Sequence, residues 1–487
     1  MLAFNADWSL MTPEIVLGAL ALLVFTLDFM TGIHRRKPFI GHLSVLSLAV
    51  TAVLVVMMNT TTGNVGATFI VDPFAMVFKL IILIGVALVI LTSLHFLDRK
   101  DNDDVYQGEY YSILLFAALG GMVMVSSADL ITLFIGLEIL SISSYALAGF
   151  KKYNRNSSEA GIKYLVLGGT ASAFILYGMS YLFGLSGTTN AFEIGQMMPE
   201  LFADYPQMMI IAFVMMLAGF GFKISVVPFH MWAPDVYYGA PTPITGFLTV
   251  VSKLAGFAIM IRLFTVAFGG IYAEWAIVLG TIAAITMIAG NFIALTQTDI
   301  KRLMAFSGIA QAGYLLVPLA TILGDASTTI IVFYSVAYLL MTLGAFAIIT
   351  LVTEDAGGKT GLDVFAGLYK RSPYMAIALT IFFLSLAGMP FTAGFIGKAN
   401  IFIIAITGDM MWLAVIMIIT SIVSFFYYFG VMKQMFMVEP RPNDEDLKVP
   451  SSINAVVSIT LAATVILGIL PNLLLDIFTQ FNWMAFF

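Results

Sequence analysis

Apolar runs dominate the chain, and many of them exceed the ~20 residues that cross a bilayer core. Polar interruptions and helix breakers divide these runs into fourteen predicted spans. They cover residues 12–30, 40–58, 73–97, 110–126, 129–150, 160–185, 207–229, 243–268, 272–296, 302–323, 327–351, 373–404, 411–435 and 453–475. The fourth and fifth are separated only by "SSAD" at 126–129. The pattern predicts an all-α polytopic membrane protein.

The loops test the count independently. One alternate set carries "HRRKP" (34–38), "DRKDNDD" (98–104), "KKYNR" (151–155), "DIKR" (299–302), "GKTGLDVFAGLYKR" (358–371) and "EPRPNDEDLK" (439–448). The other set carries "NTTTGNVGAT", "SSAD", "GLSGTTNAFEIGQMMPELFADYPQ", "FGGIYAE", "LGDAS" and "TGDM", with no lysine or arginine in it. A miscounted span would mix the two sets. The separation follows the positive-inside rule, places the basic loops inside and puts both termini outside. The N-terminal "MLAFNADWSLMTPE" lacks the basic region of a cleaved signal peptide, so the first helix is expected to remain. Trp8, Trp232, Trp275, Trp412 and Trp483 fall near span ends, as an interfacial aromatic belt would place them.

Composition agrees: 60% of the 487 residues are hydrophobic, 10% are charged, and mean hydropathy is +1.00. Soluble domains carry about 25% charged residues. The net charge of −6 says little about partners, because placement matters more than the sum. Cysteine is absent, which excludes disulfides, thiolate-ligated iron–sulfur clusters and cysteine nucleophiles. The four histidines, His34, His42, His95 and His230, form no pair at metal-ligand spacing. Neither a dinucleotide-binding GxGxxG after a strand nor a P-loop is present. Any redox cofactor serving this chain belongs to other subunits.

Few ionisable residues remain once the loops are removed. Glu138 sits within "ITLFIGLEILSISSYAL", Lys223 in the seventh span, Lys253 in "LTVVSKLAGFAIMIRLF" and Lys398 in "SLAGMPFTAGFIGKANIF". Each charge at mid-bilayer costs about 2.5–3.5 kcal/mol, so four cost roughly 10 kcal/mol or more. Such residues must be paired, hydrated or neutral, and they are read as functional. Lys79 and Arg262 lie close enough to the outer interface to snorkel. Lys163 and Lys433 read the same way at inner ends, and Glu14 and Asp28 read as interfacial flanks of the first helix.

This set suits proton transfer. A desolvated lysine releases its proton near neutral pH, and a nearby glutamate pulls it back toward the charged form. Ser141, Ser143, Ser144 and Ser252 stand beside these charges and either line a hydrated path or simply pack helices. Pro228 follows Lys223 by five residues, and Pro390 precedes Lys398 by eight. Proline within a span frees a carbonyl that needs water or a neighbour. Two interrupted, lysine-bearing helices of opposite direction, five helices apart, are what an inverted repeat produces. His230, seven residues after Lys223, would share its helical face.

"GFGFKISVVPFHMWAPDVYYGAPTPITGFL" (219–248), "SKLAGFAIMIRLF" (252–264), "FIGLEILSISSYAL", "TDIKRLMAFSGIAQAGYLL" (298–316) and "SLAGMPFTAGFIGK" (385–398) resemble the antiporter-like membrane subunits of respiratory complex I. The wording of "PDVYYGAP" and "SKLAGF" is similar to the N type rather than the M or L types. Lysine at 398 agrees, and the long C-terminal extension of L subunits is missing. The resemblance implies fourteen helices, with helices 4–8 and 9–13 as inverted five-helix repeats containing broken helices. The expected units are 1–108, 109–270, 271–437 and 438–487. It also implies Glu138 and Lys223 as an input-side ion pair, Lys253 as the central relay and Lys398 as the output site. His230 would aid proton uptake or shape the break. Gln311 stands where many relatives have histidine, so that point would need water instead. Lys79 matches no motif of the family.

The implied function is proton translocation in a membrane-arm subunit of NADH:quinone oxidoreductase, without a redox centre in this chain. Flavin, iron–sulfur clusters and quinone would lie in partner subunits, with the other membrane-arm subunits as neighbours in a bacterial inner membrane. The alternatives are a subunit of a multi-subunit cation/proton antiporter or of a membrane-bound hydrogenase-type complex. A passive helical scaffold is disfavoured by the four buried charges.

Overall fold

The computed structural model describes residues 7–31, 37–58, 62–98, 106–321, 324–442 and 444–483. His34 and most of the predicted 34–38 and 98–104 basic loops lie outside the described residues. Thirteen helices among them are long and apolar enough to cross a membrane. The first seven are Trp8–Met30, Pro38–Met57, Pro73–Leu97, Gln107–Val125, Leu130–Ala148, Arg155–Ser186 and Pro206–Ile224. Thr242–Val266, Gly269–Ala294, Ile300–Thr321 and Asp325–Asp355 follow as spans eight to eleven. Two half-length helices, Pro373–Ala387 and Ala393–Thr407, together make the twelfth span, before Met411–Met437 and Ser451–Ile469. With the two half-length helices taken together, these helices match the fourteen predicted spans one for one.

The eighth, tenth and eleventh spans are almost wholly enclosed, whereas the first and sixth are mostly open at the surface of the chain. Helices that are apolar all round become interior ones. Glycine sets the closest approaches. A Cβ on Gly136 would lie 2.6 Å from the Met124 backbone nitrogen, so the fourth and fifth spans meet backbone to backbone. The ninth and tenth spans meet in the same way, where a Cβ on Gly290 would lie 2.6 Å from the Ala310 nitrogen. The short interruption at 126–129 is a built turn. Ile70 N donates to Ser126 O at 2.8 Å from the hairpin Gly63–Val65/Phe69–Val71, and Asp129 caps the fifth span by accepting from Ile131 N and Thr132 N.

Two spans are broken. The seventh stops at Ile224, with Ser225 left-handed (φ 61°), and resumes as the short helix Trp232–Gly239. The twelfth stops at Ala387, where Gly388 adopts φ 94°, and resumes at Ala393. Pro228 and Pro390 fall within these breaks, as expected. The shared helical face predicted for Lys223 and His230 does not form, because residues 225–231 leave the helix between them.

Other expectations are corrected by burial. Lys79 does not snorkel: it approaches Glu14 at 2.7 Å, and the two side chains are 2% and 3% exposed. Arg262 pairs with Asp72 at 2.8 Å, and Asp28 with Lys37 at 2.6 Å, all of them buried. The N-terminal helices carry carboxylates that hydropathy places at the interface but that the bundle encloses. Three of the five tryptophans are interior staples rather than belt residues. Trp232 Nε1 donates to Phe222 O at 2.9 Å, Trp275 Nε1 to Phe268 O at 2.9 Å and Trp483 Nε1 to Thr329 Oγ1 at 2.8 Å. Trp8 and Trp412 remain exposed. The loop between the sixth and seventh spans contains the amphipathic helix Ala191–Asp204, which the apolar-run criterion passed over.

Candidate functional site

Buried polar groups form a file through the middle of the bundle, beginning at the fifth span. Glu138 is half-buried, and its Oε1 accepts from Ser172 Oγ of the sixth span at 2.5 Å. One turn further on, Ser141 Oγ accepts from Lys223 Nζ at 3.0 Å. Glu138 and Lys223 are thus near neighbours held by separate hydroxyls, not a direct ion pair. Lys223 occupies the last turn of its helix, where the negative end of the helix dipole favours a cation. Its helix end is fixed by Trp232 on the Phe222 carbonyl, and Trp232 stacks on Tyr164 at 4.4 Å. Ser141, Tyr145, Tyr164, Ser172 and Lys223 line a crevice with room for about one water.

Lys253 follows on the eighth span. The stem of Lys223 packs on Gly256, where a Cβ would lie 3.1 Å from Lys223 Cγ, three residues beyond Lys253. The turn before Lys253, Leu248–Ser252, is π-helical. Such turns recur at functional sites because they free backbone groups and re-aim side chains. Here Tyr338 Oη donates to Thr249 O at 3.2 Å, and Lys253 Nζ donates to Gly308 O of the tenth span at 2.7 Å. A Cβ on Gly308 would sit 3.4 Å from that nitrogen, so glycine admits the lysine.

Lys398 uses the second break. Its Nζ donates to Leu386 O at 2.8 Å and to Ala387 O at 3.2 Å, carbonyls released where the first half-helix ends. It also lies 4.4 Å over the Tyr314 ring. Gln311 Nε2 donates to the same Leu386 O at 3.0 Å, while its Oε1 accepts from Tyr334 Oη. Gln311 thus shares an acceptor with Lys398. His230 is buried in the first break, and its Nδ1 has no partner among the described residues. The structure brings Lys223, Ser141 and Glu138 together, strings Lys253 and Lys398 after them, and leaves His230 without a hydrogen bond to Lys223.

The buried cations divide into two classes. Lys37, Lys79, Arg262 and Arg371 each meet a carboxylate at 2.5–2.8 Å. Among the described residues, Lys223, Lys253 and Lys398 donate only to neutral oxygens. Lys301 shares the second pattern at the N-terminal end of the tenth span, donating to Tyr238 O at 2.8 Å and Ala240 O at 2.7 Å. Sequence reasoning counted it as one loop cation among many, and nothing in "DIKR" marks its burial. The tyrosines along this file also escaped notice. Their only sequence signal is that a buried phenol needs a hydrogen-bond partner.

Residues 127–424 match the family described as "NADH:quinone oxidoreductase/Mrp antiporter, TM". NADH-quinone oxidoreductase subunit N of Brevibacillus brevis is 45% identical over 97% of this chain and 95% of its own. That of Bacillus anthracis is 42% identical, covering 98% and 96%. Among solved structures, a chain of respiratory complex I from Thermus thermophilus superposes with a TM-score of 0.79 at 29% identity, covering 95% of this chain and 98% of that one. A chain of the Mrp complex from Dietzia sp. gives 0.84 at 19% identity over 97% and 96%, a likeness of fold alone.

Proposed function

The chain belongs to the NADH:quinone oxidoreductase/Mrp antiporter transmembrane family, and from that premise we propose that it translocates protons as a membrane-arm subunit of a bacterial NADH:quinone oxidoreductase. The bundle would move protons through Glu138, Lys223, Lys253 and Lys398 while quinone reduction proceeds in neighbouring subunits. The division of the buried cations carries this reading. A lysine paired with a carboxylate cannot discharge without stranding the partner's charge. One that donates to a hydroxyl or a carbonyl can give up its proton and leave only neutral groups behind. Lys253 and Lys398 have that arrangement, Lys223 donates to a hydroxyl with the Glu138 carboxylate one turn away to draw it back toward the charged form, and each is tied to a break or an irregular turn of a helix.

Glu138 beside Lys223 forms the input end, Lys253 the middle and Lys398 the output end. His230 contributes at the first break, as a carrier or by shaping it. Residues 109–270 and 271–437 are the two repeats, each with one broken lysine-bearing helix. The units 1–108 and 438–487 flank them. The segregation of basic loops supports an inside position for those loops and an outside one for both termini. The chain supplies no redox step. Flavin, iron–sulfur clusters and quinone belong to partner subunits, in keeping with the lack of cysteine.

The fold does not separate complex I from the antiporters, because both superpose well. Sequence does: full-length identity of 41–45% to subunit N relatives favours the oxidoreductase. Peripheral flavin and iron–sulfur subunits should co-purify in mild detergent, whereas a set of small membrane partners alone would favour an antiporter. Lys223→Ala or Glu138→Ala should sharply reduce proton pumping and coupled quinone reduction in vesicles that still contain the assembled complex. Pumping at the normal rate in assembled Lys223→Ala would sink the relay.

A further inference from the structure

Between Lys253 and Lys398 the side chain at position 311 is a glutamine, which cannot be protonated near neutral pH, and both ends of its amide are engaged. A proton crossing from one lysine to the other therefore needs another carrier. Lys253 donates to the carbonyl of Gly308. The residue before it, Ser307, shares a 2.5 Å hydrogen bond with the hydroxyl of Tyr428 on the thirteenth span. Ser307 is 1% and Tyr428 0% exposed, and the Tyr428 ring is wedged against Phe383 at 5.0 Å and Tyr427 at 4.4 Å. Gln311 lies one turn beyond Ser307 and shares the Leu386 carbonyl with Lys398.

We infer that the Ser307–Tyr428 hydroxyl pair bridges Lys253 and Lys398, carrying the proton past the non-titrating glutamine. The inference rests on the lysine relay proposed above. In one passage the Lys253 ammonium loses a proton and becomes a neutral amine. Each hydroxyl accepts a proton on its oxygen lone pair as its own O–H bond breaks toward the next acceptor. The neutral Lys398 amine takes up the last proton. Ser307 and Tyr428 end neutral with their hydrogens exchanged, and water completes the steps to and from the lysines. The neighbouring group, where Tyr427 donates to Asn291 Oδ1 at 3.1 Å and Asn291 donates to Tyr314 Oη at 3.2 Å, is interrupted at the Asn291 amide, which cannot hand a proton on.

Tyr428→Phe removes one oxygen and keeps the ring. In membrane vesicles containing the assembled complex, it should slow proton pumping and quinone reduction by about a hundredfold or more, the scale of a lost proton-transfer group. Adding Gln311→His to Tyr428→Phe places a titrating group beside Lys398 and should restore most of the rate. An unchanged rate in Tyr428→Phe overturns the bridge. So does a slow variant that Gln311→His fails to rescue, since a packing defect would not respond to a new proton carrier. If Tyr428→Phe does not assemble, Ser307→Ala with the same rescue decides in its place. Lys253→Ala is the control for the relay itself: if it pumps normally the relay fails, whatever residue 428 does.

Discussion

Lys79 and Glu14 pair at 2.7 Å between the third and first spans, and nothing in hydropathy announced it. At an effective dielectric near 20 the Coulomb attraction at this distance is about 6 kcal/mol. Desolvation of both ions offsets most of that, so the pair contributes little compared with an apolar substitute. Removing one partner is different, because it strands a buried charge at a cost of about 3–5 kcal/mol. Lys79→Met leaves Glu14 with no cation, and its Oε2 already lacks a hydrogen-bond partner. Glu14→Gln leaves the ammonium a neutral amide oxygen to donate to and the Phe69 ring, 4.9 Å away, the latter worth up to about 2 kcal/mol when desolvated. It should therefore be the milder single variant.

The double variant Glu14→Gln/Lys79→Met should return to within about 1–2 kcal/mol of the parent. The measurement is the rate of thermal inactivation of the solubilised complex, taken around the double-mutant cycle. A 3 kcal/mol loss corresponds to a rate on the order of a hundredfold faster. The coupling between the two sites should exceed about 2 kcal/mol. Near-neutral single variants with no coupling would mean that Lys79 reaches the interface, and would refute the buried pair.

Two further outcomes follow from the packing. Gly136→Val drives a side chain into the Met124 backbone and should cost about 1–3 kcal/mol, read as reduced assembly on native gels, and it should displace Glu138 two residues on. Arg371→Ala should destabilise by about 1.5–3 kcal/mol, because its buried guanidinium holds the half-exposed Asp355, Asp444 and the Glu445 carbonyl at the foot of the twelfth span. The adjacent Lys370→Ala should change stability by no more than about 1 kcal/mol, since the Lys370–Glu439 pair is exposed. Equal effects at 370 and 371, measured by thermal inactivation, would contradict that contrast.

The sequence by itself determined the number of crossings, the two breaks and the four lysine and glutamate positions. Each depends on a quantity that is local along the chain. Span length is matched to bilayer thickness, proline removes a donor wherever it stands, and a charge in an apolar run is costly whatever surrounds it. What each charge touches is not local. Lys79 and Lys253 both stand in apolar runs, yet one meets a carboxylate and the other a carbonyl, because different helices face them. Hydropathy that is nearly uniform around a helix gives no sign of which side faces lipid and which faces another helix. Only the tertiary structure could therefore separate Trp232 from Trp8, bury Lys301, or bring Tyr428 from the thirteenth span to Ser307 on the tenth.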